Sequence, residues 1–124
     1  MSESNIIVEK SYKFSVRIVK LYKFLTEKKK EFILSKQILR CGTSIGANIE
    51  EAIGARTKKD FINAMAIGNK ESRETKYWLR LIKDCDYLDE KLFESIFGDC
   101  EEINKILSSI LITSKKGTES NIKL

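Results

Sequence analysis

The sequence predicts an all-α fold, an antiparallel up-down-up-down four-helix bundle, on three observations. Proline is absent and glycine numbers only 6 in 124 residues, so the chain lacks the turn residues that sandwiches and barrels need at their many reversals. Apolar positions recur by alternating steps of three and four along four long stretches, which is the period of an amphipathic helix. The length suits one hydrophobic core and is too short for two ordinary domains. Residues 1–113 are expected to form the bundle, with helices at about 5–29, 31–53, 58–84 and 90–113, and residues 114–124 a flexible polar tail.

The first helix carries the seam Ile7, Ser11, Phe14, Ile18, Leu21 and Leu25, widened by Tyr12, Val19 and Tyr22, so that it faces more than one neighbour. It ends at Lys28, Lys29 and Lys30, whose cations suit the negative end of the helix dipole. The second seam runs Leu34, Ile38, Cys41, Ile45, Asn48 and Ala52, with Gly54 as the residue that stops it. Thr57 and Asp60 read as a capping box, with Asp in place of the usual Glu, opening the third helix. Its seam is Phe61, Met65, Gly68, Ser72, Thr75, Leu79 and Ile82, small in the middle, where another backbone can approach. Asp89 is the expected N-cap of the fourth helix. That helix is lined by Leu92, Ile96, Cys100, Ile103, Leu107 and Ile110 and broadened by Phe93, Phe97, Ile106 and Leu111.

The residues also exclude chemistry. The chain has no histidine, which removes Ser-His-Asp and Cys-His nucleophiles, Glu-x-x-His di-iron sites and histidine zinc sites. The three cysteines, Cys41, Cys85 and Cys100, show no CxxC spacing and suit reduced thiols inside a cell. Glu50 and Glu51 are adjacent and so point about 100° apart on a helix, and no phosphate-cradling glycine motif occurs. No catalytic residue, metal site or cofactor is therefore expected, and the protein is not expected to be an enzyme. No stretch reaches the roughly 18 apolar residues of a membrane span, so a cytoplasmic location is expected.

Charge is unevenly spread. The net charge is +5, with the cationic excess in residues 1–31 and 56–85 and an anionic excess in residues 86–124. Arg56, Lys58, Lys59, Lys70, Arg73, Lys76, Arg80 and Lys83 lie on or beside the third helix. Lys76, Arg80 and Lys83 recur at steps of four and three and share one face, which Arg73 extends. Such a stripe can contact successive phosphates without reading sequence. A solvated helix surface has the same pattern, and so does charge matching between subunits.

The stretch TSIGANIEEAIGAR, residues 43–56, places Asn48 on an apolar seam. A buried asparagine there either fixes register and oligomer state or bonds backbone in a turn weakened by Gly46. With its surroundings this stretch resembles the 23S rRNA intervening-sequence proteins, relatives of the accessory proteins of diversity-generating retroelements. Arg40, Ser44, Ile45, Asn48, Ile49, Glu51, Arg56, Thr57, Asp60 and Phe61 stand at matching places. Gly46 replaces the usual proline, Ala52 the usual glycine, with Gly54 two residues on, and Asp86 the glycine of a closing G-Y-L-like turn.

The resemblance implies a bundle that assembles as a ring, commonly a homopentamer, with nucleic-acid binding and association with a reverse transcriptase in the retroelement branch. From the residues, the apolar excess on the first and fourth helices predicts a cyclic homo-oligomer. The function expected is binding of structured RNA or an RNA–DNA hybrid through the basic surface, without a membrane partner. The alternative is an assembly or adaptor module that recruits a protein, with Asp99, Glu101 and Glu102 meeting the basic helix of a neighbouring subunit.

Overall fold

The computed structural model describes the backbone of residues 3–122 and the side chains of residues 5–116. Four α-helices form: α1 (Glu3–Glu27), α2 (Leu34–Ile53), α3 (Lys58–Asp84) and α4 (Glu90–Ile122), with no strand among the described residues. Each helix packs against its neighbours in sequence, most extensively α2 against α3, and α4 returns to α1 through the slightest of the four interfaces. Contacts pair rising with falling residue numbers. Lys10 meets Glu102 and Arg17 meets Asp99, while Lys76 lies over Phe97 and Lys83 over Phe93. Neighbouring helices are therefore antiparallel, the arrangement that short turns impose on an up-down-up-down bundle.

All six seam residues of α1 are buried. Those of α3 are buried too, except Phe61, which packs partly against the core. On α2 the buried positions are Ser35, Ile38, Cys41, Gly42, Ile45, Gly46, Ile49 and Ala52. Ile49, not Asn48, thus holds the seam. Asn48 is half-buried beside it, and its side-chain amide donates to the Ser44 carbonyl one turn back at 2.8 Å. The small residues bring helices together: a Cβ on Gly42 would meet Ile18 Cγ1 of α1 at 2.8 Å, and one on Gly46 would meet Ser15 Oγ at 3.1 Å.

The turns explain where helices start and stop. Thr57 Oγ1 accepts from the Asp60 amide at 3.0 Å and Asp89 Oδ1 from the Leu92 amide at 2.8 Å, so each residue N-caps its helix. Gly54 follows α2 but has φ −85°, so it is not the left-handed cap expected of it. α2 begins at Leu34 instead of residue 31 because Glu31 works as a distant cap. Its carboxylate accepts from the amides of Ile33, Leu34 and Ser35 at 3.2, 3.1 and 2.7 Å, and Ser35 Oγ donates back to the Glu31 carbonyl at 2.8 Å. Burial works against that charge, but the three backbone donors outweigh it and hold the carboxyl below its ordinary pKa. Lys30 takes φ 55°, which ends α1, and the turn carries Phe32 and Ile33 outward.

α4 differs most from expectation. It runs on to Ile122 where the sequence suggests a flexible tail from residue 114, as a stretch without proline allows; residues 123 and 124 lie outside the described residues. Its broadening residues also find partners within the chain. Leu111 is 8% exposed, and Phe93 and Phe97 stack at 5.0 Å and pack partly against the core. A polar contact sets the register of α3 on α4: the Asn104 amide donates to Asn69 Oδ1 at 2.6 Å and to Ser72 Oγ at 2.8 Å.

Candidate nucleic-acid interface

The eight cations on or beside α3 separate into groups with different surroundings. Lys76 and Lys83 are half-buried, their ammonium groups 5.8 and 5.5 Å from the ring centres of Phe97 and Phe93. Lys83 also pairs with Glu90 at 3.0 Å, which raises its pKa. These two charges are turned toward α4, where Lys83, Arg80, Asp84 and the phenylalanine pair border a groove of about 340 Å³. Arg56, Lys58, Lys59, Lys70, Arg73 and Arg80 are exposed and form no salt bridge among the described residues.

The exposed cations fall at two levels. Arg56, Lys58 and Lys59 stand at the α2–α3 corner, and Lys70, Arg73 and Arg80 lie farther along α3, about 16 Å from Lys59 to Lys70 at 1.5 Å per residue. Lys58 and Lys59 sit in the first turn of a helix, where the dipole disfavours cations. Helix stability does not account for them.

One residue of the upper group is absent from the sequence-based set. Tyr77 is 56% exposed and lies between Arg73 and Arg80 at steps of four and three, so Lys70, Arg73, Tyr77 and Arg80 form one outward stripe. The signal is present in the period that joins Arg73 to Arg80, which passes through position 77. Behind the stripe, Tyr77 meets Trp78 edge to face at 5.1 Å and 77°. Trp78 Nε1 donates to Glu74 at 3.0 Å, and Glu74 is paired with Arg40, which also reaches Glu71 at 3.5 Å. The Trp78 hydrogen bond, ahead of the Arg40 pair, keeps the Glu74 carboxyl below its ordinary range against the pull of burial.

Two of the three acidic residues singled out on α4, Asp99 and Glu102, have intramolecular partners. Arg17 bonds Asp99 at 2.7 Å and Ser95 Oγ at 3.1 Å, and Lys10 pairs with Glu102 at 2.9 Å. Asp99 and Glu102 therefore answer α1 of their own chain, and the expected role of neutralising a neighbouring α3 is not needed to explain them. Burial pushes the Cys41 and Cys100 thiols up to about 11 and about 12, which makes both poor nucleophiles near neutral pH. No group of three metal-ligating side chains gathers among the described residues.

A model of the 23S rRNA-intervening sequence protein family matches residues 3–109. The chain belongs to that family. A crystal structure of a protein of unknown function from the S23 ribosomal protein family of Bacteroides thetaiotaomicron is 53% identical, with a TM-score of 0.88 over 89% of this chain and 98% of that one. No curated protein matches. Within this intervening-sequence family member, most signature residues serve the bundle. Arg40 clamps α3, Ser44 Oγ donates to the Arg40 carbonyl at 2.7 Å, Asn48 bonds Ser44, and Phe61 packs on the core. Glu51 is exposed without a salt bridge among the described residues. No described helix is long and apolar enough to cross a membrane.

Proposed function

We propose that this protein is a non-enzymatic, oligomeric nucleic-acid-binding bundle whose ligand is structured RNA or an RNA–DNA hybrid. The observation that carries this reading is the set of exposed cations that form no salt bridge among the described residues, Arg56, Lys58, Lys59, Lys70, Arg73 and Arg80, on one helix and the corner before it. Like charges so gathered repel one another and favour a polyanion, whose counterions they displace. Lys76 and Lys83 contribute to the field of the groove more than to direct contact, since ring faces and Glu90 hold them. Filter binding of a structured RNA at about 50 and 200 mM salt tests the reading. Binding that weakens steeply with salt, and weakens less steeply in Arg73→Ala/Arg80→Ala, supports it; no binding at low salt, or binding indifferent to salt, rejects it.

The same reading includes a cyclic homo-oligomer, a pentamer as the family resemblance implies. Support comes from α1, where Tyr12, Val16 and Val19 are exposed on one face, and from Phe32 and Ile33 on the α1–α2 turn. The fourth helix lends less support than the sequence suggests, because Phe93, Phe97 and Leu111 are engaged within the chain. A ring would repeat the basic stripe around its axis and make weak single-subunit attraction multivalent. A second reading, an assembly or adaptor module that binds a protein without nucleic acid, rests on the same apolar face. Light scattering separates the assembly claim from the binding claim: a mass at the 14.3 kDa of the monomer removes the ring and leaves RNA binding to be judged by its own assay.

A further inference from the structure

On the reading that this chain binds RNA, we propose that Tyr77 is a stacking platform for an unpaired base, so that the site takes single-stranded segments, such as the loops of a structured RNA, in preference to continuous duplex. Three features converge on it. Tyr77 is a large aromatic side chain more than half exposed in the interior of a packed helix, so packing does not explain its presence. It is bracketed by Arg73 and Arg80, and Lys70 continues the stripe, giving cations on either side of the ring over about 15 Å of helix. None of the three forms a salt bridge among the described residues.

The ring is also backed by a fixed support. Trp78 meets it edge to face at 5.1 Å, the Trp78 indole is held by Glu74 at 3.0 Å, and Glu74 is held by Arg40 from α2. The chain Arg40, Glu74, Trp78, Tyr77 ties the signature arginine to the exposed face, and a platform whose supports are held loses less freedom when a base settles on it. Alternating cations and an exposed aromatic are the parts of a single-strand site: phosphates meet the cations and a base meets the ring. A duplex keeps its bases stacked on each other and offers the ring nothing but its backbone and groove edges. The Phe93–Phe97 pair is a weaker candidate, because Lys83 and Lys76 already lie over those rings.

The test compares a labelled mixed-sequence RNA of about 12 nucleotides with the same RNA annealed to its complement. The full-length protein, Tyr77→Phe, Tyr77→Ala and Arg73→Ala are each titrated at several salt concentrations. The inference expects tighter binding of the single strand, loss of about 5- to 100-fold in Tyr77→Ala, near-wild-type affinity in Tyr77→Phe, and a salt slope unchanged by Tyr77→Ala but reduced by about one in Arg73→Ala. Emission of Trp78, the only tryptophan in the chain, should be quenched by the single strand and not by the duplex. Equal or tighter binding of the duplex, or a Tyr77→Ala protein that binds the single strand like wild type, overturns the platform while leaving RNA binding in place. Competition by polyglutamate of equal charge as effective as RNA also overturns it, by showing a surface that answers charge alone. Binding of neither RNA form at low salt defeats the platform together with the function it rests on.

Discussion

Replacing Gly42 with alanine isolates the close approach of α2 to α1. The added Cβ would stand 2.8, 2.9 and 3.0 Å from Cγ1, Cγ2 and Cδ1 of Ile18, a β-branched side chain with no exposed surface. Two of those atoms are bonded to the Ile18 Cβ and cannot swing clear without a change of rotamer, which a full core resists. Overpacking of this kind costs about 1–3 kcal/mol, against which alanine gains about 1 kcal/mol over glycine within a helix. The net expectation is a loss of up to about 2 kcal/mol. Two internal controls sharpen it. A Cβ added at Gly98 on α4 would have no neighbour within 4 Å, and one at Gly68 would meet Ile45 O at 3.6 Å, an ordinary contact; alanine at either should be neutral or stabilising by up to about 1 kcal/mol. In an Ile18→Ala background the obstructing atoms are gone, and Gly42→Ala should become stabilising. Urea denaturation of the single and double variants gives the cycle directly. A Gly42→Ala protein more stable than wild type would refute the packing argument, as would an unchanged effect in the Ile18→Ala background.

Other substitutions probe the turns and the α2–α3 clamp. Glu31→Gln leaves one acceptor where two oxygens now serve three amides, and should cost about 1–2 kcal/mol near neutral pH. Because the folded pKa of Glu31 is depressed, its contribution is present above the ordinary value of 4.5 and lost as pH falls through the lower folded value. The wild-type and Glu31→Gln stability curves should therefore converge as pH drops below 4.5, and parallel curves in denaturation at stepped pH would contradict the capping role. Asp86 holds φ 67°, in the left-handed region that glycine adopts most readily, so Asp86→Val should destabilise by about 1–2 kcal/mol while Asp86→Gly is neutral or mildly stabilising, read by thermal melts. Arg40→Ala should lower stability by about 0.5–1 kcal/mol, in keeping with a half-exposed pair, and alter Trp78 emission by releasing Glu74; unchanged emission would break the proposed link from Arg40 to Tyr77.

The helices are legible in the sequence because burial in this chain follows a single period. Ile7 through Leu25 alternate by threes and fours without interruption, so the α1 seam can be read residue by residue, and the Thr57 and Asp89 caps are legible because each bonds an amide three residues away. Long-range partners are less accessible. Nothing local tells Asp99 that its cation is Arg17, 82 residues distant in sequence, and the anionic character of α4 consequently looks free to meet another subunit. Asn48 stands one position off the seam that its spacing suggests, because a helix turn brings residues three and four apart onto nearly the same face, and the choice between Asn48 and Ile49 is settled by how α3 packs. The α2 start escapes the pattern for a related reason: Glu31 caps from outside the helix, through a turn whose shape depends on Lys30.

The signature residues divide according to what the fold requires of them. Arg40, Ser44, Asn48 and Phe61 each have an intramolecular partner, so the bundle alone gives a reason for their identity. Glu51 and Arg56 are exposed and form no salt bridge among the described residues. They stand at the α2–α3 corner, next to Lys58 and Lys59, and no helix-stabilising argument covers the two lysines either. A surface that met only nucleic acid would gain from Arg56, Lys58 and Lys59 but not from Glu51, whose charge repels phosphate. The acid at that corner is better matched to a cation on a second protein surface. The upper stripe at Lys70, Arg73, Tyr77 and Arg80 is suited to nucleic acid alone, while the corner, where Glu51 stands beside Arg56, Lys58 and Lys59, also suits a protein contact such as the next subunit of a ring. On that division, reversing Glu51 and Arg56 together should change the assembly mass read by light scattering and leave the intrinsic affinity of the stripe for a short RNA unaltered.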